Sequence, residues 1–165
     1  LLVNAAELLR RPGNHKDLSV QVVASDLGIH DARVADDAPV DIRAHLESLS
    51  DGVVVDARID VPWTGTCRRC LASAAGVADV QVRELYQLTV TDPDAFPITG
   101  DQLDLGPMVR EALLLDVPES PLCRDDCAGL CPVCGVDRNE ESCGCDAAPR
   151  DDRWAALDAL RDQLG

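Results

Sequence analysis

Residues 40–70 read VDIRAHLESLSDGVVVDARIDVPWTGTCRRC, and the prediction of the fold depends mainly on them. Apolar and polar residues alternate through 40–49 and again through 52–63, which is the period of a β-strand with one buried face. A Ser-Asp-Gly sequence at residues 50–52 is typical of a turn between two antiparallel strands. The sequence therefore predicts an antiparallel hairpin, and its first strand places four residues on one face: Val40, Ile42, Ala44 and Leu46.

The segments on either side extend the predicted sheet. Residues 18–24, LSVQVVA, have the composition of a strand, and residues 77–90, VADVQVRELYQLTV, form a third strand that returns after a turn. Residues 91–102 contain two prolines and a glycine among acidic side chains, which indicates a loop. The predicted fold class is α+β: a small antiparallel β-sheet or partly open barrel with flanking helices and a C-terminal cysteine-rich zinc-binding segment.

Two helices are predicted in the C-terminal half. The segment DLGPMVREALLLDVP begins at Asp104, which can cap a helix, and Pro118 can end it. Residues 151–165, DDRWAALDALRDQLG, carry an apolar stripe that favours packing against the core, with partner binding as the alternative. We predict a mainly β domain at 1–103, which carries the first CxxC, and a second unit at 104–165 that packs with it as one body.

Eight cysteines are the strongest chemical signal in the chain. No run approaches the ~18 apolar residues of a membrane span, and the N-terminal residues lack the charge order of a secretory signal, so we expect a cytoplasmic protein. Thiols stay reduced there unless they hold metal or do redox work, which disfavours a disulfide framework. The cysteines form four pairs with the spacing of metal ligands: Cys67 and Cys70, Cys123 and Cys127, Cys131 and Cys134, Cys143 and Cys145.

Each pair can present two sulfur atoms to one ion, and tetrahedral zinc takes two such pairs. The sequence therefore predicts two zinc ions, although the six clustered cysteines allow more than one partition. The most economical partition joins the upstream pair to the CxxxC pair, so that a metal ion connects the hairpin to the C-terminal segment and closes a long loop. The second ion then takes the remaining four residues: Cys131, Cys134, Cys143 and Cys145.

The local sequence around two of the pairs adds detail. In CPVCG, Pro132 sets the bend and Gly135 can adopt positive φ, so that backbone N–H groups approach the thiolates. Two alternatives remain for the upstream pair, which can be buried small apolar residues or a redox dithiol activated by the arginines between the thiols. A thioredoxin-like CxxC opens a helix, whereas a turn and a strand are predicted after Cys70, and this disfavours redox catalysis.

The charge of the chain limits its partners. Thirty acidic and 15 basic residues give a formal charge of −15, and two filled four-thiolate sites bring it to about −19. Such a surface repels phosphate at long range, and two Trp, one Tyr and one Phe supply little stacking for bases. The composition therefore disfavours free RNA as the ligand and favours a basic protein.

Two groups of charged residues near the cysteines are candidate partner contacts. The acids Asp125, Asp126, Glu140 and Glu141 suit a basic protein. Arg68 and Arg69 lie between the cysteines of a turn that projects outward, and arginine suits bidentate contact with phosphate. The alternative for the arginines is pairing with neighbouring acids on a solvated face.

No pattern in the sequence indicates catalysis. His15, His30 and His45 fall in loops or on a predicted exposed strand face, and none has triad or ligand spacing with a cysteine or serine. Sites built from four cysteines are typically closed and structural, and the chain has neither a P-loop nor a GxGxxG motif. We therefore expect a protein without enzymatic activity.

The order of the motifs resembles one known family. CRRCL, the acidic loop, LDLGPMVREALLLDVPESPLC, CAGLCPVCG, CGC and DDRWAALDAL follow one another as in YceD-like large ribosomal RNA subunit accumulation proteins, and LLRRPG extends the similarity to nearly the whole chain. The resemblance implies a non-enzymatic role in accumulation of large-subunit ribosomal RNA. Together with the acidic charge of the chain, it favours a large-subunit precursor or a basic ribosomal protein as the partner. A zinc-ribbon interaction module of the transcription-adaptor type is the alternative function.

Overall fold

The segments with alternating apolar and polar residues form the strands of one curled sheet. A computed structural model describes residues 1–145 of the chain. Its strands are β1 (Leu2–Asn4), β2 (His15–Val23), β3 (Pro39–Ser48), β4 (Gly52–Thr66), β5 (Ser73–Gln87), β6 (Phe96–Thr99) and β7 (Gln102–Asp104). They lie side by side in the order β1-β7-β6-β5-β4-β3-β2, and within residues 1–145 only β5 and β6 pair in parallel.

The predicted hairpin is confirmed as β3 and β4. The two strands are antiparallel, with Ile42 opposite Ile59, and a tight turn at residues 49–51 joins them. The strands predicted at 18–24 and 77–90 are β2 and β5, each shifted by a few residues toward the N-terminus. The four residues expected on one face of β3 are all buried in the core: Val40, Ile42, Ala44 and Leu46.

The prediction of a loop across residues 91–102 is wrong, because this segment contains β6 and the start of β7. The ring of Phe96 stacks on Tyr86 with ring centroids 5.2 Å apart, and Ile98 and Leu103 are buried. Gly100, at φ +61°, makes the turn between the two short strands. Because β6 runs parallel to the end of β5, the sheet is mixed, which corrects the predicted antiparallel sheet in this one pairing, while the curled sheet agrees with the predicted partly open barrel.

One α-helix, α1 (Gly106–Asp116), lies within residues 1–145, fewer than the flanking helices that the sequence predicts. It buries Met108, Val109 and Leu113 against the sheet. The residue that caps it is Leu105 and not Asp104, although the Asp104 carboxylate accepts a hydrogen bond from the N–H of Gly106 at 3.0 Å. The helix predicted at 151–165 lies outside the described residues. No helix in the described part of the chain is long and apolar enough to cross a bilayer.

The hairpin of β4 and β5 projects beyond the rest of the sheet. Pairing of β3 with β4 ends at Asp60, but β4 and β5 stay paired as far as Thr66 and Ser73. Arg33 supports this projecting arm, because its carbonyl accepts a hydrogen bond from the N–H of Thr64 and its guanidinium donates to Val117. The arm therefore holds its tip, residues 67–72, beside the segment that follows α1.

Candidate metal centres

The tip of the arm meets the CxxxC segment to form the first cysteine tetrad, composed of Cys67, Cys70, Cys123 and Cys127. The four sulfur atoms lie within 4.8 Å of one another. The Sγ atoms of Cys67 and Cys127 are 3.8 Å apart, and those of Cys70 and Cys123 are 3.6 Å apart. Sulfurs at about 2.3 Å from a tetrahedral zinc are separated by about 3.8 Å, so the observed spacing fits a metal ion.

The second cysteine tetrad consists of Cys131, Cys134, Cys143 and Cys145, and its sulfur atoms also lie within 4.8 Å of one another. Only Cys131 of this set is buried, whereas three of the four cysteines in the first tetrad are. The structure therefore groups the eight cysteines into the same two sets that the sequence spacing favours.

The two CxxC turns have the same backbone geometry. In the first, the N–H of Leu71 donates to the carbonyl of Cys67 at 2.9 Å, and the N–H of Cys67 donates to Ala72 at 2.8 Å. In the second, Gly135 donates to Cys131 at 2.9 Å, and Cys131 donates to Val136 at 2.8 Å. Both turns therefore close around their thiols through equivalent hydrogen bonds.

The residue after each CxxC adopts the left-handed conformation. Gly135 has φ +76°, as the sequence predicts, and Leu71 has φ +63° in the equivalent place. Leu71 is the only residue other than glycine with positive φ within residues 1–145. A side chain in this conformation costs about 1–2 kcal/mol. Leu71 adopts it because the geometry of the CxxC turn requires positive φ at this position.

Backbone N–H groups favour the thiolate form of one cysteine in each turn. Burial raises the pKa of Cys67, but hydrogen bonds from the N–H groups of Cys70, Cys123 and Arg69 outweigh it and lower the pKa to about 6. In the second tetrad, the N–H groups of Cys134 and Val133 lower the pKa of Cys131 to about 6. Each turn therefore prepares a thiolate, the form of cysteine that binds metal.

One thiol in each of the other two cysteine pairs, Cys123 and Cys145, shows the opposite tendency. The hydrogen bond with Cys70, together with burial, raises the pKa of Cys123 to about 12. The hydrogen bond with Cys134, together with burial, raises the pKa of Cys145 to about 12. Four thiolates cannot gather in so small a volume without a cation, and a divalent ion removes this repulsion. The donor set thus fits a metal ion in both tetrads.

Asn139 and Gly129 connect the two tetrads, and the sequence analysis did not single out either residue. The side-chain amide of Asn139 donates to the sulfur of Cys127 at 3.4 Å, and its oxygen accepts from the N–H of Ala128 at 2.8 Å. Gly129 has φ +71°, and a Cβ there would lie 2.9 Å from the carbonyl oxygen of Arg69. A glycine between two cysteine groups is a signal that could have been recognised, whereas an isolated asparagine gives none.

The two candidate arginines of the first turn have different surroundings. The guanidinium of Arg69 donates to the carbonyl of Cys127 at 2.9 Å and to that of Asp125 at 3.4 Å, so it holds the CxxxC segment against the arm. Arg68 is exposed, and its guanidinium makes no hydrogen bond or ion pair within residues 1–145. The sequence signal for Arg69 was its position in the turn, and its contact with Cys127 became apparent only from the tertiary structure.

The acidic candidates lie on the surface beside the tetrads. Asp125, Asp126, Glu140 and Glu141 are all exposed, and Asp126 forms an ion pair with Arg124 at 3.2 Å. On the exposed face of the sheet, by contrast, acids and arginines pair with one another across the strands. These pairs are Arg43 with Asp60, Arg58 with Asp79, and Arg83 with Asp56.

On the exposed face of the sheet a histidine pairs with an acid, and the upstream CxxC lies in a turn between two strands. His45 lies on the exposed face of β3, and its Nδ1 is 2.7 Å from the carboxylate of Asp17, a hydrogen bond that raises the pKa of the imidazole. Cys67 and Cys70 lie in the turn of a β-hairpin, whereas a thioredoxin-like pair opens a helix.

Comparison with known proteins places the chain in a family. A family model described as large ribosomal RNA subunit accumulation protein YceD matches residues 55–161. The chain belongs to the YceD family. The match begins in β4 and includes both cysteine tetrads, and it confirms the resemblance inferred from the order of the motifs.

Proteins similar to this chain come from bacteria and a plant. An uncharacterized protein of Mycobacterium tuberculosis is 33% identical over 165 residues, covering 95% of this chain and 79% of the relative. A protein of Mycobacterium leprae is 29% identical over 135 residues, covering 77% of this chain and 62% of the relative. A chloroplastic YCED homolog of Arabidopsis thaliana is 28% identical over 69 residues, covering 42% of this chain and 22% of the relative. No solved structure matches the chain.

Proposed function

We propose that this protein is a non-enzymatic factor of large ribosomal subunit biogenesis that supports accumulation of large-subunit ribosomal RNA. Membership of the YceD family is the observation that carries the proposal, because the family is described by that role. The absence of enzymatic activity is part of the proposal, and the chemistry of the cysteines supports it. A metal ion enclosed by four thiolates has no open position for a substrate or an activated water.

The proposal includes one zinc ion in each cysteine tetrad. Tetrahedral sites of four thiolates suit zinc or iron, and zinc is the usual ion where the site is structural. In the first tetrad the ion ties the tip of the arm to the CxxxC segment, residues 123–127. In the second it organises the exposed loop from Cys131 to Cys145. Zinc supplies no redox chemistry in either place, so its contribution is the positioning of the surfaces around it.

A basic ribosomal protein, or a precursor particle that contains one, is the proposed partner. The chain carries a formal charge of −15, and the acids Asp125, Asp126, Glu140 and Glu141 are exposed beside the tetrads. Complementary potentials accelerate encounter with a basic protein, while the same field disfavours naked RNA. Arg68 and Arg69 are the residues through which a local RNA contact inside a particle would form. The proposed compartment is the cytoplasm, where the thiols stay reduced.

Depletion of the protein from its cells tests the role directly. We expect large-subunit ribosomal RNA to fall relative to small-subunit ribosomal RNA, and expression of the intact chain to restore the ratio. In a gradient of cell lysate, the protein should sediment with large-subunit precursors. An unchanged ratio, together with migration as free protein or with a transcription complex, would instead support the zinc-ribbon adaptor.

Neutral substitutions test the proposed acidic surface. In the double variant Glu140→Gln/Glu141→Gln, binding of a purified basic ribosomal protein at low salt should weaken about threefold to tenfold, while the metal content stays the same. The matched control is Asp36→Asn/Asp37→Asn, which removes two exposed acids in the loop before β3. Equal effects in both variants would show that net charge alone attracts the partner, and tight binding of the intact protein to naked ribosomal RNA would contradict the partner class.

A further inference from the structure

The outer edge of β5 is open along most of its length. β5 pairs with β4 through all 15 of its residues, but it pairs with β6 only through Tyr86 and Gln87. Within residues 1–145, no strand and no backbone hydrogen bond covers the outer side of residues 73–85. The N–H and C=O groups that point outward there are a template for another strand.

A groove lies beside this edge, between β5 and α1. It has a volume of about 410 Å³, and its apolar surface comes from the half-buried Val80, Val82 and Ala112. Leu115 on α1 also lines the groove, and 89% of its surface is exposed. A single exposed leucine is ordinary, but one that continues an apolar groove beside an unpaired strand edge offers a binding site for alternate side chains of an added strand.

The rim of the groove is acidic. Glu84 and Asp116 line it, and burial raises the pKa of Glu84, with the nearby charges of Glu111 and Asp94 adding to the shift. Arg83 is the one basic residue that lines the groove, and its guanidinium lies 3.5 Å from the carboxylate of Asp56. The carboxylates around Glu84 therefore repel one another, and a cationic ligand would relieve that repulsion.

We propose that this edge and groove bind an extended, basic protein segment as an added β-strand. Its backbone pairs with the outer edge of residues 79–84, its alternate apolar side chains cover Val82 and Leu115, and its Lys or Arg side chains lie beside Glu84. The inference rests on the proposed function for the identity of the partner as a ribosomal protein, and it adds to the acidic surface beside the tetrads a second surface, on which an extended segment of that partner is held.

A synthetic peptide tests the site without any ribosomal component. The probe is a labelled peptide of about eight residues in which Lys alternates with Val, and the control peptide has proline at two central positions, which removes backbone donors. Fluorescence anisotropy with the full chain should detect binding of the first peptide only. Leu115→Ser should weaken it about tenfold, and Glu84→Gln/Glu111→Gln about threefold to tenfold.

Matched variants separate this site from the tetrad surface. Val133 is an exposed apolar residue in the second CxxC turn, so Val133→Ser is the control for Leu115→Ser. Asp36→Asn/Asp37→Asn, which removes two exposed acids in the loop before β3, is the control for the groove acids, and both controls should leave peptide binding unchanged. Equal loss in the groove variants and their controls, or equal binding of the proline peptide, would overturn the inference.

Amide hydrogen exchange locates the bound peptide. Every second amide of residues 79–84 should exchange rapidly in the full chain alone and slowly with the peptide. Protection of those amides before the peptide is added would show that a second copy or another part of the chain already covers the edge, and the molecular mass in solution would tell these apart. Either result overturns the inference. Ribosomal RNA ratios in depleted cells test the proposed function separately, so the two proposals can fail independently.

Discussion

The two cysteine tetrads have the same ligands and the same CxxC turn, but they are embedded in the fold differently. The first joins residues that are 60 positions apart, Cys67 and Cys127, and three of its four cysteines are buried. The second takes all its ligands from residues 131–145, and only Cys131 is buried. The same set of four cysteines therefore connects two distant parts of the fold in one place and lies within a short surface loop in the other.

The two tetrads close loops of different length, so they should contribute differently to the free energy of unfolding. A crosslink restricts the unfolded chain more when the loop that it closes is longer, although the gain grows slowly with length. Burial increases this difference in stability, because loss of an ion from the first tetrad would leave buried thiols crowded together without a cation. Stability should thus depend mainly on the first tetrad.

The largest expected effect is that of Cys67→Ser in the first tetrad. The variant should lose one metal ion per chain, and its free energy of unfolding should fall by about 4–5 kcal/mol, since loss of a structural metal is among the most destabilising single changes. Proteolysis should open both the arm near residue 67 and the segment 121–130. Cleavage confined to the arm would show that the first tetrad does not connect the two segments.

Gly129→Ala tests the close packing between the tetrads. The new Cβ would lie 2.9 Å from the carbonyl oxygen of Arg69 at φ +71°, so we expect the free energy of unfolding to fall by about 2 kcal/mol in a denaturant titration. Gly144 belongs to the second tetrad, and nothing lies within 4 Å of its Cβ position. Gly144→Ala should therefore change the free energy of unfolding by less than about 0.5 kcal/mol. An equal loss in both variants would show that Gly129 is packed no more tightly than Gly144.

Cys143→Ser is the counterpart of Cys67→Ser in the second tetrad. This variant should also lose one metal ion per chain, but its free energy of unfolding should fall by only about 1 kcal/mol, because the affected loop is short and exposed. Faster amide exchange should be limited to residues 131–145. A loss of stability as large as that of Cys67→Ser would show that the second tetrad supports the fold as much as the first.

The smallest expected effect comes from making the two CxxC turns alike. Leu71→Gly places in the first turn the residue type that the second turn has at position 135. Relief of the left-handed strain should exceed the entropic cost of glycine and stabilise the protein by about 0.5–1 kcal/mol in thermal unfolding. The reciprocal change, Gly135→Ala, should destabilise by a similar amount. A destabilised Leu71→Gly variant would show that the leucine side chain makes a favourable contact that outweighs its strain.

Features that depend on a local sequence pattern could be predicted from the sequence. Alternation of apolar residues is a local pattern, so the hairpin of β3 and β4 could be read from residues 40–63. Cysteine spacing is also local, and joining the upstream pair to the CxxxC pair required only the assumption that no pair is left without a partner. These features depend on neighbours in sequence, as did the position of α1.

The features that were not predicted from the sequence depend on contacts between residues that are distant along the chain. β6 contains Pro97, and it forms because Phe96 stacks on Tyr86 and Ile98 is buried, neither of which a local pattern reveals. The contact of Arg69 with the carbonyl of Cys127 is equally non-local. The left-handed Leu71 could have been predicted by aligning CRRCL with CPVCG, since the two turns place Leu71 and Gly135 in the same position.

Metal content during chelator titration tests the comparison most directly. Native mass spectrometry of the intact chain should show two zinc ions per chain at the start, and the chelator should remove them in two separate steps. The exposed second tetrad should empty first with the fold retained, and the buried first tetrad should empty later together with unfolding. A single ion per chain, or simultaneous loss of both ions, would contradict the account of two centres with different structural roles.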